Sequence, residues 1–387
     1  MRVSHVITRL IVGGAQENTI STVLGLKRKP EVEVELLSGP SEGTEGSLKA
    51  GISDLVIIPD LVRPVHPWHD VRAYNELIRH FREFCPRIVH THSGKAGVLG
   101  RLAAHKAGVP IIIHTIHGPS FGTFQSTLAN WIFCTAERIA GRVTTHFISV
   151  ADAMTQQYLA AGIGKPEMYS RIFSGFSLTP FLTATNDLVL RQKLGIGQDD
   201  FVIGTVARLF KLKGHDEILR MAPALLRKYP KIKFLFVGGG PWRERLEEKI
   251  RSLGLEKQFV FTGLVPPGEV HQYIGIMDIL IHLSRREGLP RALPQAMAAG
   301  KPVVSYNCDG ACEACIEGQT GFLVKVGDQD LLEKRIATLV DHAELRVRFG
   351  EQGRVFAREH FSESGMVDAI WALYQRLDAL KPKRQVS

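Results

Sequence analysis

The sequence predicts an α/β chain built as two doubly wound parallel-sheet domains in tandem, their strand carboxyl ends facing across a cleft. Three observations carry this reading. The 387 residues suffice for about two domains at roughly 150 residues each. Short β-branched runs alternate with helical patterns throughout, the signature of parallel strands joined by crossover helices. The alternation also runs in two series, parted by a polar, irregular stretch that contains Thr183-Ala184-Thr185-Asn186-Asp187. The expected division is therefore a domain over 1–180, a connection over 181–200, a second domain over 201–361, and a C-terminal helical segment over 362–387 that packs back on the first domain.

In the first series the strand candidates are 3–8, 32–38, 55–59, 88–91, 110–115 and 146–150. Residues 95–107 read as a helix because Ala96, Leu99, Leu102 and Ala103 fall on one face. In the second series the strand candidates are 201–206, 233–237, 259–262, 279–283, 302–306 and 321–324, with helices at 216–228, 242–253, 268–276 and 292–299. Residues 362–380 are helical again.

Composition narrows the classes. With 44% hydrophobic and 22% charged residues the chain has the balance of a globular protein, which excludes long disorder, collagen and coiled coil. No apolar run approaches the roughly 18 residues of a membrane span, and the N-terminus runs into a strand pattern without a signal-peptide core. The five cysteines are too few and odd in number for a disulfide framework, which points to a reducing cytoplasm. Cys312 and Cys315 form a C-x-x-C pair, readable as a zinc half-site, a redox pair or two thiols beside a loop. No second pair completes a zinc site, so no metal is expected. The net charge of +9 is spread over both halves and suits anionic ligands, phosphorylated lipids or a membrane face. No basic run with interleaved aromatics appears, so nucleic acid is not expected. Ten of the fifteen histidines precede residue 181.

In doubly wound sheets, ligands bind beyond the strand carboxyl ends, and the residues with chemical character lie there. Gly13 and Gly14 follow the first strand and precede a helix; they permit close backbone approach to an anion, or make a plain turn. Arg208 and Lys213 bracket the loop after strand 201–206. Two fixed cations there either clamp a diphosphate or form a solvated pair, and Gly214 in a strand–loop–helix context favours the clamp. Gly238-Gly239-Gly240 ends a strand and serves ligand contact or tight packing. Glu287-Gly288-Leu289-Pro290 forms a loop after strand 279–283. A carboxylate in such a loop suits polyol binding, with N–H groups of the following helix aimed back at it. Gln295 sits on that helix. In the first series, His90-Thr91-His92-Ser93-Gly94-Lys95 and His114-Thr115-Ile116-His117-Gly118 both follow strands.

At these residues the sequence resembles glycosyltransferase family 4, retaining nucleotide-sugar-dependent enzymes of GT-B fold. The resemblance covers nearly the whole chain. It is most specific over Glu287–Gly300, which matches the family's E-x7-E element. Arg208 with Lys213, Gly238–Gly240, Gly13-Gly14, Asp309–Glu313 and Gly318–Val324 agree in order and spacing. The resemblance implies a first domain on the acceptor side and a second that binds the nucleotide-sugar. Catalytic residues would be His117, Arg208, Lys213 and Glu287. Donor contacts would come from Gly13, Gly14, Arg208, Lys213, Gly238, Leu264, Val265, Glu287, Gly288, Leu289 and Gln295. His92, Lys95 and His117 would meet the acceptor. One position departs from the family: Gln295 stands where the second acid of E-x7-E holds ribose hydroxyls. It keeps the hydrogen bonds but loses the charge.

The resemblance further implies transfer from a nucleoside-diphosphate sugar, most commonly a uridine diphosphate sugar, to a saccharide or polyprenyl-linked acceptor in cell-surface polysaccharide biosynthesis. No cofactor and no metal are implied, since the nucleotide-sugar is a co-substrate. A cytoplasmic protein peripheral on the anionic inner membrane face is expected, with Arg63, His66, His69 and Arg72 as contacts or as a solvated loop. The alternatives are a non-catalytic sugar-nucleotide-binding protein, which Gln295 would tolerate, and a nucleotide-sugar epimerase.

Overall fold

A computed structural model of the chain describes residues 1–41, 48, 52, 55–122 and 124–381. The chain divides into two compact units. Met1–Phe176 combines with the C-terminal helix Glu363–Ala379, and Ser177–Ser362 forms the other. Residues 382–387 of the C-terminal segment lie outside the described residues.

The first unit holds seven strands, β1 (Arg2–Ile7), β2 (Glu33–Ser38), β3 (Leu55–Ile57), β4 (Ile88–His92), β5 (Ile111–Ile116), β6 (His146–Ser149) and β7 (Tyr169–Arg171). They form one sheet in the order β3-β2-β1-β4-β5-β6-β7, every pair parallel. The second unit holds β8 (Phe201–Val206), β9 (Ile232–Val237), β10 (Phe259–Gly263), β11 (Ile279–His282), β12 (Val303–Tyr306) and β13 (Gly321–Val324). Their order is β10-β9-β8-β11-β12-β13, again all parallel. Each sheet therefore reverses direction once, between β1 and β4 and between β8 and β11. At such a switch point the flanking loops part and leave a crevice beyond the strand ends.

Central strands such as β4, β5, β11 and β12 are buried along their whole length. Helices cover both faces, so neither apolar residues nor polar ones such as His90 and His92 of β4 face solvent. The two faces of the first sheet carry separate cores. Val6, Leu37, Leu77, Phe81 and Ile112 pack on one; Val3, Ile7, Leu36, Ile113 and Ile148 pack on the other. Onto the second face the C-terminal helix lays Met366, Ile370, Leu373, Tyr374 and Leu377, so the last described helix completes the first unit.

The edge strand β7 was not expected from sequence. It has three residues, none of them buried, and no apolar run marks it. The stretch 181–200 also differs from the expected connection. It belongs to the second unit, because Arg191 is buried and its guanidinium donates to the carbonyl oxygens of Gly197, Asp200 and Ile276. Buried charge needs such a set of acceptors; the bonds to Gly197 and Asp200 brace the stretch itself, and the bond to Ile276 ties it to the segment before β11.

Candidate active site

The second unit's switch point gathers one connected cluster. Lys213 lies in the loop after β8, and Glu287 in the loop after β11. The Lys213 ammonium donates to Glu287 Oε1 at 2.6 Å. His282, the last residue of β11, reaches the same oxygen through Nε2 at 3.0 Å. The backbone N–H of Glu287 donates to Asp309 Oδ2 at 2.8 Å, and Gly310 N–H donates to the Gly288 carbonyl at 3.1 Å. Three loops, after β8, β11 and β12, are thus fastened around one carboxylate. Burial alone would raise the Glu287 carboxyl. The Lys213 ammonium and the His282 hydrogen bond outweigh burial and hold it well below the ordinary carboxylate range.

Backbone strain concentrates in the same loops. Leu212 and Asp309 adopt left-handed conformations, with φ of 71° and 48°, which non-glycine residues take only where surrounding contacts hold them. Those contacts are present. Leu212 O accepts from Arg285 N at 2.8 Å and from the Ser284 hydroxyl at 3.2 Å. Gly214 has φ 84°, and a Cβ there would stand 2.3 Å from the Leu283 carbonyl oxygen, so the loops after β8 and β11 touch backbone to backbone. Glycine is required for that approach.

Arg208 is exposed, with its guanidinium 5.8 Å from the centre of the Phe210 ring. Gly238 ends β9 with φ 142° and donates to the Gly263 carbonyl at 3.1 Å. Leu264 is 46% exposed beyond β10, whereas Val265 is buried. Gly288 and Leu289 are buried beneath the Glu287 loop. The helix after this loop begins at Ala292, and Gln295 on its first turn is partly exposed.

In the first unit, Gly13 precedes the helix Gly14–Lys27 beyond β1. The loop after β5 carries His117, partly exposed, whose Nε2 lies 3.0 Å from His92 Nδ1. His92 was expected to meet the acceptor. It is buried, its second ring nitrogen lies 2.9 Å from His5 Nδ1, and it supports His117 instead of facing a ligand. Lys95 is also committed locally, to the Asp70 carboxylate and the Pro64 carbonyl oxygen. Its charge is met by the Asp70 carboxylate.

Sequence reasoning missed His282, Asp309 as the partner of Glu287, His5 and Tyr374. A signal existed for His282, a polar residue at a strand's carboxyl end five positions before Glu287. None existed for Tyr374, which meets its partners across the sequence separation of the C-terminal helix.

The structure is thus two doubly wound parallel-sheet units, one of which carries a carboxylate–ammonium cluster at its switch point. Comparison with known proteins gives its family. Residues 13–169 match the glycosyl transferase 4-like domain, and residues 187–356 match glycosyl transferases group 1. The chain belongs to glycosyltransferase family 4, with the GT-B architecture. It is 24% identical over 351 residues to the capsular polysaccharide biosynthesis glycosyltransferase CapM of Staphylococcus aureus, covering 90% of each chain. It is 25% identical over 355 residues to the Escherichia coli UDP-Gal:alpha-D-GlcNAc-diphosphoundecaprenol alpha-1,3-galactosyltransferase, again covering 90% of each. Its fold is similar to that of Anabaena Alr3699/HepE in complex with UDP and glucose, with a TM-score of 0.82 at 22% identity over 97% of this chain and 99% of that one.

Proposed function

We propose that this glycosyltransferase moves a hexosyl or N-acetylhexosaminyl group from a nucleoside-diphosphate sugar, a uridine diphosphate sugar first among the candidates, to a saccharide or lipid-linked saccharide in polysaccharide biosynthesis. Retention at the anomeric carbon is part of the proposal. The observation that carries it is the Lys213–Glu287–His282 cluster at the β8/β11 switch point. It sets an ammonium and a carboxylate side by side on strained loops, where a sugar diphosphate needs both. The names of CapM and of the Escherichia coli galactosyltransferase support the acceptor class and the uridine diphosphate donor.

In this reading Arg208 and Lys213 stabilise the charge that develops on the departing diphosphate, the term that dominates such transfers. Glu287 accepts hydrogen bonds from donor sugar hydroxyls. Gln295 meets the ribose without the charge assistance of a carboxylate. Gly13, Gly14, Gly238, Gly288 and Leu289 bring backbone close to the donor, and Leu264 and Val265 border the base. His117 stands beside the reacting sugar. The bond from the anomeric carbon to the diphosphate oxygen breaks, and the acceptor oxygen bonds to that carbon from the same face. The acceptor proton passes to the leaving diphosphate oxygen. Glu287 serves as a hydrogen-bond acceptor and not as a nucleophile, with its Oε1 already held by Lys213 and His282.

Proton NMR of the product from an α-linked donor tests this directly. The expected product carries the α-anomeric coupling. A β-linked product contradicts retention, and an epimerised donor formed without acceptor supports the epimerase instead.

A further inference from the structure

Six side chains of the first unit are joined end to end by hydrogen bonds. His117 Nε2 lies 3.0 Å from His92 Nδ1, and His92 Nε2 lies 2.9 Å from His5 Nδ1. His5 Nε2 lies 3.3 Å from the Tyr374 hydroxyl, which is 2.5 Å from His90 Nδ1. His90 Nε2 lies 2.6 Å from Thr115 Oγ1. The sheet explains the alignment. β1 and β4 place His5 opposite His90, β4 and β5 place His92 opposite Thr115, and alternation keeps all four on one face. Tyr374 comes down onto that face from the C-terminal helix. His5, His90, His92, Thr115 and Tyr374 are all buried.

A neutral imidazole has one N–H donor and one lone pair, so each link constrains the next. Burial keeps these rings neutral. It pushes His5 down to about 3 and His90 and His92 well below their ordinary value, and it pushes the Tyr374 hydroxyl well above its own. Two polarities then fill every link. In one, Thr115 donates to His90, His90 to Tyr374, Tyr374 to His5, His5 to His92, and His92 to His117. In the other every bond is reversed, and the Thr115 proton is left over. Among the described residues His90 is the one hydrogen-bond partner of that hydroxyl. Stranding a buried donor costs its full desolvation, so the first polarity is selected.

We infer that Thr115, His90, Tyr374, His5 and His92 are positioning residues, a hydrogen-bonded relay that fixes His117 as the tautomer with Nε2 accepting and Nδ1 carrying the proton. The catalytic consequence rests on the reading of His117 as the residue beside the reacting sugar. There it acts as an N–H donor toward a sugar oxygen, not as the base for the acceptor hydroxyl. Base action would require every proton in the chain to shift one link. This agrees with passage of the acceptor proton to the leaving diphosphate.

The nitrogens of His5, His90 and His92 also converge within 4.8 Å, as metal ligands would. All six nitrogens of those rings already have hydrogen-bond partners, and a bound ion would displace three of them. The relay accounts for the whole cluster.

The test is long-range proton–nitrogen NMR on the full chain labelled in histidine nitrogen, with His117 assigned through His117→Gln. The expected spectrum shows Nδ1 protonated and Nε2 unprotonated at His117. Thr115→Val and Tyr374→Phe should turn this into a tautomer mixture, and Thr115→Ser should restore the single form. With about half the molecules competent, kcat/KM for the donor falls about twofold. A His117 protonated at Nε2 in the unaltered protein overturns the relay. So does a His117 signal indifferent to Thr115→Val, or stoichiometric zinc binding that abolishes the inter-ring couplings. An inactive protein with His117 locked as expected counts against the proposed function and leaves the relay standing.

Discussion

Replacing Lys213 with alanine is expected to lower turnover by about two orders of magnitude or more, the scale of losing one preorganised electrostatic stabiliser. The ammonium has two tasks in this account. It meets charge on the departing diphosphate, and it holds the Glu287 carboxylate at 2.6 Å. Both are lost together in Lys213→Ala, so the variant should also melt lower than the unaltered protein near pH 7. A carboxyl whose folded pKa is depressed contributes stability above its unfolded pKa, near 4.3, and loses it as pH falls. Without Lys213, burial of Glu287 acts with only His282 opposing it directly. The difference in melting temperature should therefore shrink as pH drops below about 4. Steady-state kinetics and melting curves across pH check both parts. Near-normal turnover in Lys213→Ala would remove the clamp from the mechanism.

Replacing Gly238 with alanine is expected to be strongly destabilising. Its φ of 142° disfavours any side chain, and the added Cβ would stand 2.2 Å from the Ala207 carbonyl oxygen. The Ala207 carbonyl is backbone and not a flexible side-chain tip, so relief needs movement of the backbone after β8 or β9. A cost of about 3 kcal/mol follows from strained backbone plus the clash. For a unit of this size that is a fall of roughly 6–12 °C in melting temperature. Calorimetry reads it directly. An unchanged transition would mean that the β8 and β9 ends do not approach as closely as described.

Much of the frame was legible because doubly wound sheets announce themselves. β8 and β13 coincide with the apolar runs at 201–206 and 321–324, and the other long strands fall within one or two residues of theirs. Most of their residues are buried on both faces, so apolar residues such as Phe201-Val202-Ile203 and Ile279-Leu280-Ile281 mark them. β7 escaped because an exposed edge of three residues carries no such pattern. The 181–200 stretch misled for a related reason. It is polar and irregular, yet buried Phe181 and the Arg191 guanidinium, which donates to Ile276, hold it to the second unit, and Arg191 looks like any other arginine in a sequence.

The candidate site was legible where spacing carried it. Lys213 and Glu287 follow strands, and the structure brings them together. The supporting contacts were not legible. Asp309 receives the Glu287 N–H only because β11 and β12 are neighbours, and Tyr374 meets His90 only because the last helix returns to the first sheet. Such contacts depend on topology and leave no local mark. The visible traces of the relay were the excess of histidine before residue 181 and the two strand-end segments with His90, His92, Thr115 and His117.

A thermal-shift panel of nucleoside diphosphates and their sugars, run with magnesium and with a chelator, tests the central claim most directly. A ligand that binds the native state alone raises its stability with the logarithm of saturation. The account predicts a clear shift with one diphosphate nucleotide, equal in magnesium and in chelator, larger in Gln295→Glu and abolished in Arg208→Ala with Lys213→Ala. Absence of any shift across the panel, or a shift that requires magnesium and survives loss of both cations, would contradict it.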